Sequence, residues 1–123
     1  IMLRNPDAKL IDFTELIGVI ESNPKFLPSD LDMIYERNGK YLVVEWKKPE
    51  EALTNNSGQE ILLKALASNP CFTVLKVIGY TENKQMVAQK IDRLRSNGTW
   101  QYLGDGLPRF KEIIKKWYEH VSQ

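Results

Sequence analysis

Apolar residues repeat at helical spacing near both ends of the chain and alternate or run together between them. Over 7–22, DAKLIDFTELIGVIES, the residues Leu10, Phe13, Leu16, Ile17 and Ile20 fall on one stripe. That spacing predicts an amphipathic helix, ended by Asn23-Pro24. Phe26-Leu27 is long enough for a brief strand. Residues 30–36 and 40–47 read as two strands joined by Asn38-Gly39, a pair that tolerates the positive φ of a type I′ turn. The run YLVVEW is β-branched and aromatic, as a central strand should be, and Pro49 stops it. EEALTNNSG is a polar loop. A helix follows over 59–68, with Ile61, Leu62, Ala65 and Leu66 expected to face inward. CFTVLKVIGY, 71–80, is another apolar strand. Residues 84–103 fit a helix then a strand, or a hairpin, and Asn97-Gly98 with TWQYL favours the hairpin. The last helix covers 108–121, with Pro108 in its first turn and Phe110, Ile113, Ile114, Trp117 and Tyr118 inward.

The order predicts a mixed α/β domain, a central sheet covered by helices. The 123 residues suit one domain, and no repeat or low-complexity segment interrupts them. No apolar run approaches the roughly 20 residues that span a bilayer. Arg4, Asp7 and Lys9 in the first eleven residues argue against a signal peptide. The single cysteine, Cys71, excludes an internal disulfide and points to a reducing compartment, such as a cytoplasm. The single histidine, His120, argues against a His-based zinc site or a catalytic triad. Net charge is +1 but uneven: 84–120 carries eight Lys/Arg and four acids, and 1–83 carries nine and twelve. That asymmetry fits an enzyme that uses a metal and grips a polyanion, and it fits two solvated faces equally.

Candidate chemistry lies in the first hairpin. With a period of two, Asp30 and Asp32 share one face of its first strand, and Glu45 and Lys47 share one face of its second. Both pairs lie away from the turn, at the same end of the ribbon. Carboxylates held together repel and raise one another's pKa, and charges on a buried strand need partners. A divalent cation resolves that conflict, and oxygen ligands suit Mg²⁺ or Mn²⁺. The bland alternative is a half-exposed hairpin in which Lys47 pairs with Glu45 across solvent.

Pro28-Ser29-Asp30-Leu31-Asp32, a hairpin, and then Glu45-Trp46-Lys47 resembles the signature of the PD-(D/E)XK nuclease superfamily. Asp32 stands thirteen residues before Glu45, a gap similar to that of compact members such as archaeal Holliday-junction resolvases. The resemblance also extends loosely to small nuclease-like proteins of phages and bacteria. It implies an αβββαβ restriction-endonuclease-like core over roughly 8–80, with a C-terminal basic extension, a hairpin and a helix, over 84–123. It implies a Mg²⁺- or Mn²⁺-dependent endonuclease that hydrolyses DNA by attack of metal-activated water. Asp32, Glu45 and the Trp46 carbonyl would ligate the metal, and Lys47 would orient the water and stabilise charge. Gln59, after Gly58 at the start of the next helix, is similar to an auxiliary glutamine of many members. Asp30 competes with Asp32 as the metal aspartate, and spacing favours Asp32. Glu21 competes with Glu15 as the first-helix glutamate, and the apolar stripe favours Glu21. The superfamily includes inactive binders, so a silent nucleic-acid-binding or protein-interaction module is the alternative.

DNA is the implied partner, a homodimer is left open, and no membrane or organic cofactor is expected. Lys48, Lys64, Arg93, Arg95, Lys111, Lys115 and Lys116 are candidate phosphate contacts, although exposed cations on a helix need no function. Trp100 and Tyr102 are candidates for base stacking, whereas Trp117 reads as core. His120 suits the last turn of a helix, and Cys71 reads as an inert residue opening a strand. No Gly-rich phosphate loop, zinc spacing or nucleophile elbow occurs.

Overall fold

The structure, a computed structural model, describes residues 12–51 and 57–123, the side chains of Ser57 and Gly58 excepted. The chain divides into two compact units, Ile1–Asp30 and Leu31–Gln123.

In the N-terminal unit the expected helix over 7–22 does not form across the described residues. Only a 3₁₀ turn, Thr14–Leu16, is present, and residues 7–11 lie outside the described residues. Two local features explain the difference. Asp12 accepts hydrogen bonds from the Thr14 amide, at 2.9 Å, and from its hydroxyl, offering the backbone an alternative to helix. Gly18 then takes φ +83°, a left-handed conformation that ends helical winding. The Phe13, Leu16, Ile17 and Ile20 side chains are exposed, and no strand forms at Phe26-Leu27.

The C-terminal unit is a five-stranded mixed sheet with two helices among the described residues. Its elements are β1 (Met33–Arg37), β2 (Lys40–Lys47), α1 (Ser57–Ala67), β3 (Phe72–Glu82), β4 (Gln85–Leu94), β5 (Trp100–Gly104) and α2 (Leu107–Val121). Strand order follows chain order. Only β2 and β3 are parallel, and α1 makes the crossover between them. Asn38 (φ 53°) and Gly39 (φ 76°) close the β1–β2 turn as their types predict. The β3–β4 turn is Asn83-Lys84, also with two positive φ values, so the segment after residue 84 continues as a strand and not a helix. Among the described residues two strands precede α1, where an αβββαβ core has three. The 84–123 segment supplies two of the sheet's strands together with α2.

Alternation along β2 splits the core into two layers. Leu42 and Val44, with Leu75, Val77, Ile91, Phe110 and Trp117, form the layer under α2. Val43, with Val74, Leu94, Leu63 and Ala67, forms the layer under α1. Trp46 meets Phe110 edge to face, with ring centroids 5.6 Å apart. The inward stripe of α1 is Leu63, Leu66 and Ala67, so Ile61, 69% exposed, and Ala65 face outward, against the sequence expectation. That phase carries Gln59, one turn before Leu63, toward the sheet. On α2, Phe110 and Trp117 are buried as expected, but Tyr118 is exposed beneath the Arg37 guanidinium, 4.8 Å from its ring centroid.

Candidate active site

The α1 face of the sheet holds two adjacent rows of side chains. Register aligns Val43, Val74, Leu94 and Trp100 across β2 to β5. One step along, it aligns Glu45, Lys76, Asp92 and Tyr102. The first row is the apolar layer under α1. The second carries charge into the sheet, with Glu45 4% and Asp92 6% exposed.

Asp32 extends the charged row past the edge of β1. It precedes the strand instead of lying in it, because β1 begins at Met33. Asp30 therefore shares no strand face with Asp32, contrary to the sequence reading. Asp32 Oδ2 accepts the Trp46 backbone N–H at 2.9 Å, which fixes the carboxylate beside β2. In an extended ladder a residue's N–H and C=O turn to the same neighbour, so the Trp46 carbonyl faces that edge too.

Glu45 is the most perturbed acid of the described residues, pushed up to about 7. Burial is the main cause. A hydrogen bond to Asp32 and the Asp32 charge also raise it, while a hydrogen bond from Gln59 and the Lys47 ammonium oppose the rise. Lys47 Nζ donates to Gln59 Oε1 at 3.0 Å. With its oxygen so engaged, the Gln59 amide nitrogen donates to Glu45, and the glutamine ties lysine to glutamate. Glu45 Oε2 is buried without a hydrogen-bond partner.

Of the residues singled out in the sequence, Asp32, Glu45, Lys47 and Gln59 therefore meet. No family model, curated protein or solved structure matches the chain. The site has to be read from its own chemistry.

Glu15, Glu21 and Asp30 belong to the N-terminal unit and are exposed. Glu15 sits in the 3₁₀ turn and Glu21 in a later turn, not on a helix. Lys48 is exposed beyond β2, and Lys64 stands on α1 beside Glu60 at 4.0 Å. Lys111 and Lys115 are exposed on α2. Arg93, Arg95 and Lys116 lie away from the cluster, around a groove at the other end of β2. Trp100 is half-buried with Lys76 Nζ 4.2 Å from its ring centroid, so it stacks on a cation, while Tyr102 is exposed. Trp117 is core.

Sequence reasoning missed Asp92, which is buried and 3.4 Å from Lys90 Nζ, and Lys76 beside it. An acid within the apolar alternation of QMVAQKIDRL was the available signal. Its alignment with Glu45 depends on register across three strands.

Proposed function

We propose that the chain is a metal-dependent nuclease that hydrolyses DNA phosphodiester bonds, its site arranged as in the restriction-endonuclease-like fold. A cytoplasmic setting fits its single thiol. The observation that carries this reading is the buried Glu45 carboxylate, with one oxygen unpartnered, between Asp32 and a Gln59-anchored Lys47. These residues fit a hard divalent cation. An orphaned carboxylate oxygen and an adjacent second carboxylate form an oxygen donor set, and Mg²⁺ needs only one or two carboxylates. Asp32, Glu45 and the Trp46 carbonyl would hold Mg²⁺ or Mn²⁺. When bound, the cation supplies Lewis-acid polarisation of the phosphate. Lys47 Nζ supplies a positive charge for the oxyanion that develops there. Gln59 positions that ammonium and, through its amide, favours the ionised form of Glu45.

The test is cleavage of duplex, single-stranded and branched DNA with and without Mg²⁺ or Mn²⁺. Metal-dependent cutting is expected. Lys47→Ala should slow it about a hundred- to a thousandfold, or roughly 3–4 kcal/mol. The variant's melting temperature should match the wild type, because Lys47 lies at the strand end. Excess Mn²⁺ should raise the melting temperature relative to EDTA, since it binds only the folded site.

A second reading, a silent binding module, is favoured by one observation: Arg93, Arg95 and Lys116 line a groove away from the acid–lysine cluster. DNA binding without cutting, and no thermal shift with either cation, would establish it in place of the nuclease.

A further inference from the structure

The N-terminal ends of β2 and β3 and the C-terminal half of α2 bound a groove of about 1080 Å³. Lys40, Arg93, Arg95, Lys116 and His120 line it, and among the described residues no Asp or Glu does. This is unusual in a chain whose acids and bases are nearly equal in number, 16 against 17. Arg93 and Arg95 make no ion pair among the described residues. Of the five, only Lys116 has an acid within reach among the described residues, Glu112 at 3.4 Å.

The groove is separate from the acid–lysine cluster in two respects. It opens at Lys40, the start of β2, whereas Glu45 and Lys47 lie towards its end, roughly 17 and 23 Å along a strand at 3.3 Å per residue. Its cations also stand on the other face of the sheet, although Ala67, Phe72 and Leu94 of the α1 layer line one wall of the groove. Arg93 lies in register with Leu75 and Gln101, and Leu75 belongs to the layer under α2. Glu45 and Lys47 alternate with that layer and face α1.

Like-charged side chains left without counter-ions around a concavity repel one another, and an anion relieves this. Leu103, Ile113 and the small exposed part of Trp117 add apolar lining. A multiply charged ligand with flat apolar parts matches both features. The volume matches the upper end of the roughly 300–1,000 Å³ of small-molecule sites. That accommodates a few linked nucleotides, not a duplex.

We propose that this groove is a second nucleic-acid site, which holds the backbone phosphates of a single strand on the sheet face opposite the acid–lysine cluster. The proposal does not depend on the chain being a nuclease. It holds for a silent binder as well.

The test is titration of a fluorescent single-stranded oligonucleotide in EDTA over a series of salt concentrations. The combined variant Lys40→Gln, Arg93→Gln and Arg95→Gln should bind at least tenfold more weakly. Its salt slope should be shallower by roughly 0.7 for each phosphate that the protein no longer neutralises. Lys40→Arg with Arg93→Lys and Arg95→Lys keeps the charges and should restore binding, which separates lost charge from lost folding. Lys84→Gln, which removes an exposed charge in the β3–β4 turn outside the groove, should bind like the wild type. Unchanged affinity and salt slope in the Gln variant would overturn the proposal. So would competition by a free mononucleotide as effective as that of the unlabelled strand, or a preference for duplex.

Discussion

The two rows on the α1 face lie one step apart on the same strands and behave as opposites. Val43, Val74, Leu94 and Trp100 pack under α1 and hold the layer together, whereas Glu45, Lys76 and Asp92 bring charge to the same surface. The apolar row gains free energy from burial in proportion to area. The charged row loses it, and the raised Glu45 and its unpartnered oxygen mark where the loss concentrates. A sheet can carry such a row when the next one is packed well enough to hold it in place. Strain of this kind concentrates where chemistry is done.

The comparison can be broken first on its stable side. Leu94→Ala truncates a side chain that is 2% exposed and should cost roughly 2–5 kcal/mol in chemical denaturation. A loss below about 1 kcal/mol would mean that the apolar row does not hold the layer.

The next effect, about 3 kcal/mol, lies on the charged side and depends on pH. Glu45 has its ordinary value near 4.5 in the unfolded chain and about 7 in the fold, so folding takes up a proton between those limits. The stability that comes from the protonated form is complete below pH 4.5 and is lost as pH rises through 7. At about 1.36 kcal/mol per pH unit the total is the stated value of about 3 kcal/mol. Glu45→Gln should flatten this decline and be the more stable protein at about pH 8. Parallel pH profiles for the two proteins would refute the assignment to Glu45.

The smallest effect sharpens the comparison where the rows touch. Lys76, in the charged row, sets its ammonium over Trp100 in the apolar one. Lys76→Met should lower stability by about 0.5–1 kcal/mol. The midpoint of the Glu45 transition should stay in place, because Asp32, Gln59 and Lys47 are the side chains that shift it. Movement of that midpoint in a denaturation series across pH would show that Lys76 acts on the site directly.

Much of the fold is legible from local signals. Asn38-Gly39 sets the first hairpin, and β-branched residues with Pro49 beyond them mark β2, whose bounds agree with the expectation. Hairpin geometry is also enough to bring Glu45, Lys47 and Asp32 to one end. Elsewhere the controlling interactions are weaker or longer in range. The 7–22 stripe has helical period, yet the Asp12–Thr14 hydrogen bonds and the Gly18 dihedral decide its backbone, and periodicity is blind to both. Asn83-Lys84 turns without a glycine, so no strong signal marks it. The phase of α1 differs by one residue from the expectation, since Leu62 and Leu63 are equally apolar and only packing on Val43 and Val74 chooses between them. The row through Lys76 and Asp92 depends on pairings between residues far apart in the chain, such as Glu45 with Lys76.

One irregularity in β4 gives a simple count of residues a structural role. Ile78 pairs with Lys90 but Gly79 pairs with Ala88, so Gln89 is a bulge. Ala88 and Ile91 can therefore both enter the layer under α2, although three positions separate them, while Asp92 stays on the opposite face. Gly79 accommodates the offset, since a Cβ there would lie 2.0 Å from the Val87 carbonyl oxygen. The Gln89 side chain is exposed and makes no hydrogen bond or ion pair among the described residues. Its identity is free, but its presence is not. Removing it would shift the hairpin by one and turn either Ala88 or Asp92 to the wrong side. In this strand one residue serves as a spacer whose only information is that it is there, and a catalogue of substitutions would record the position as silent.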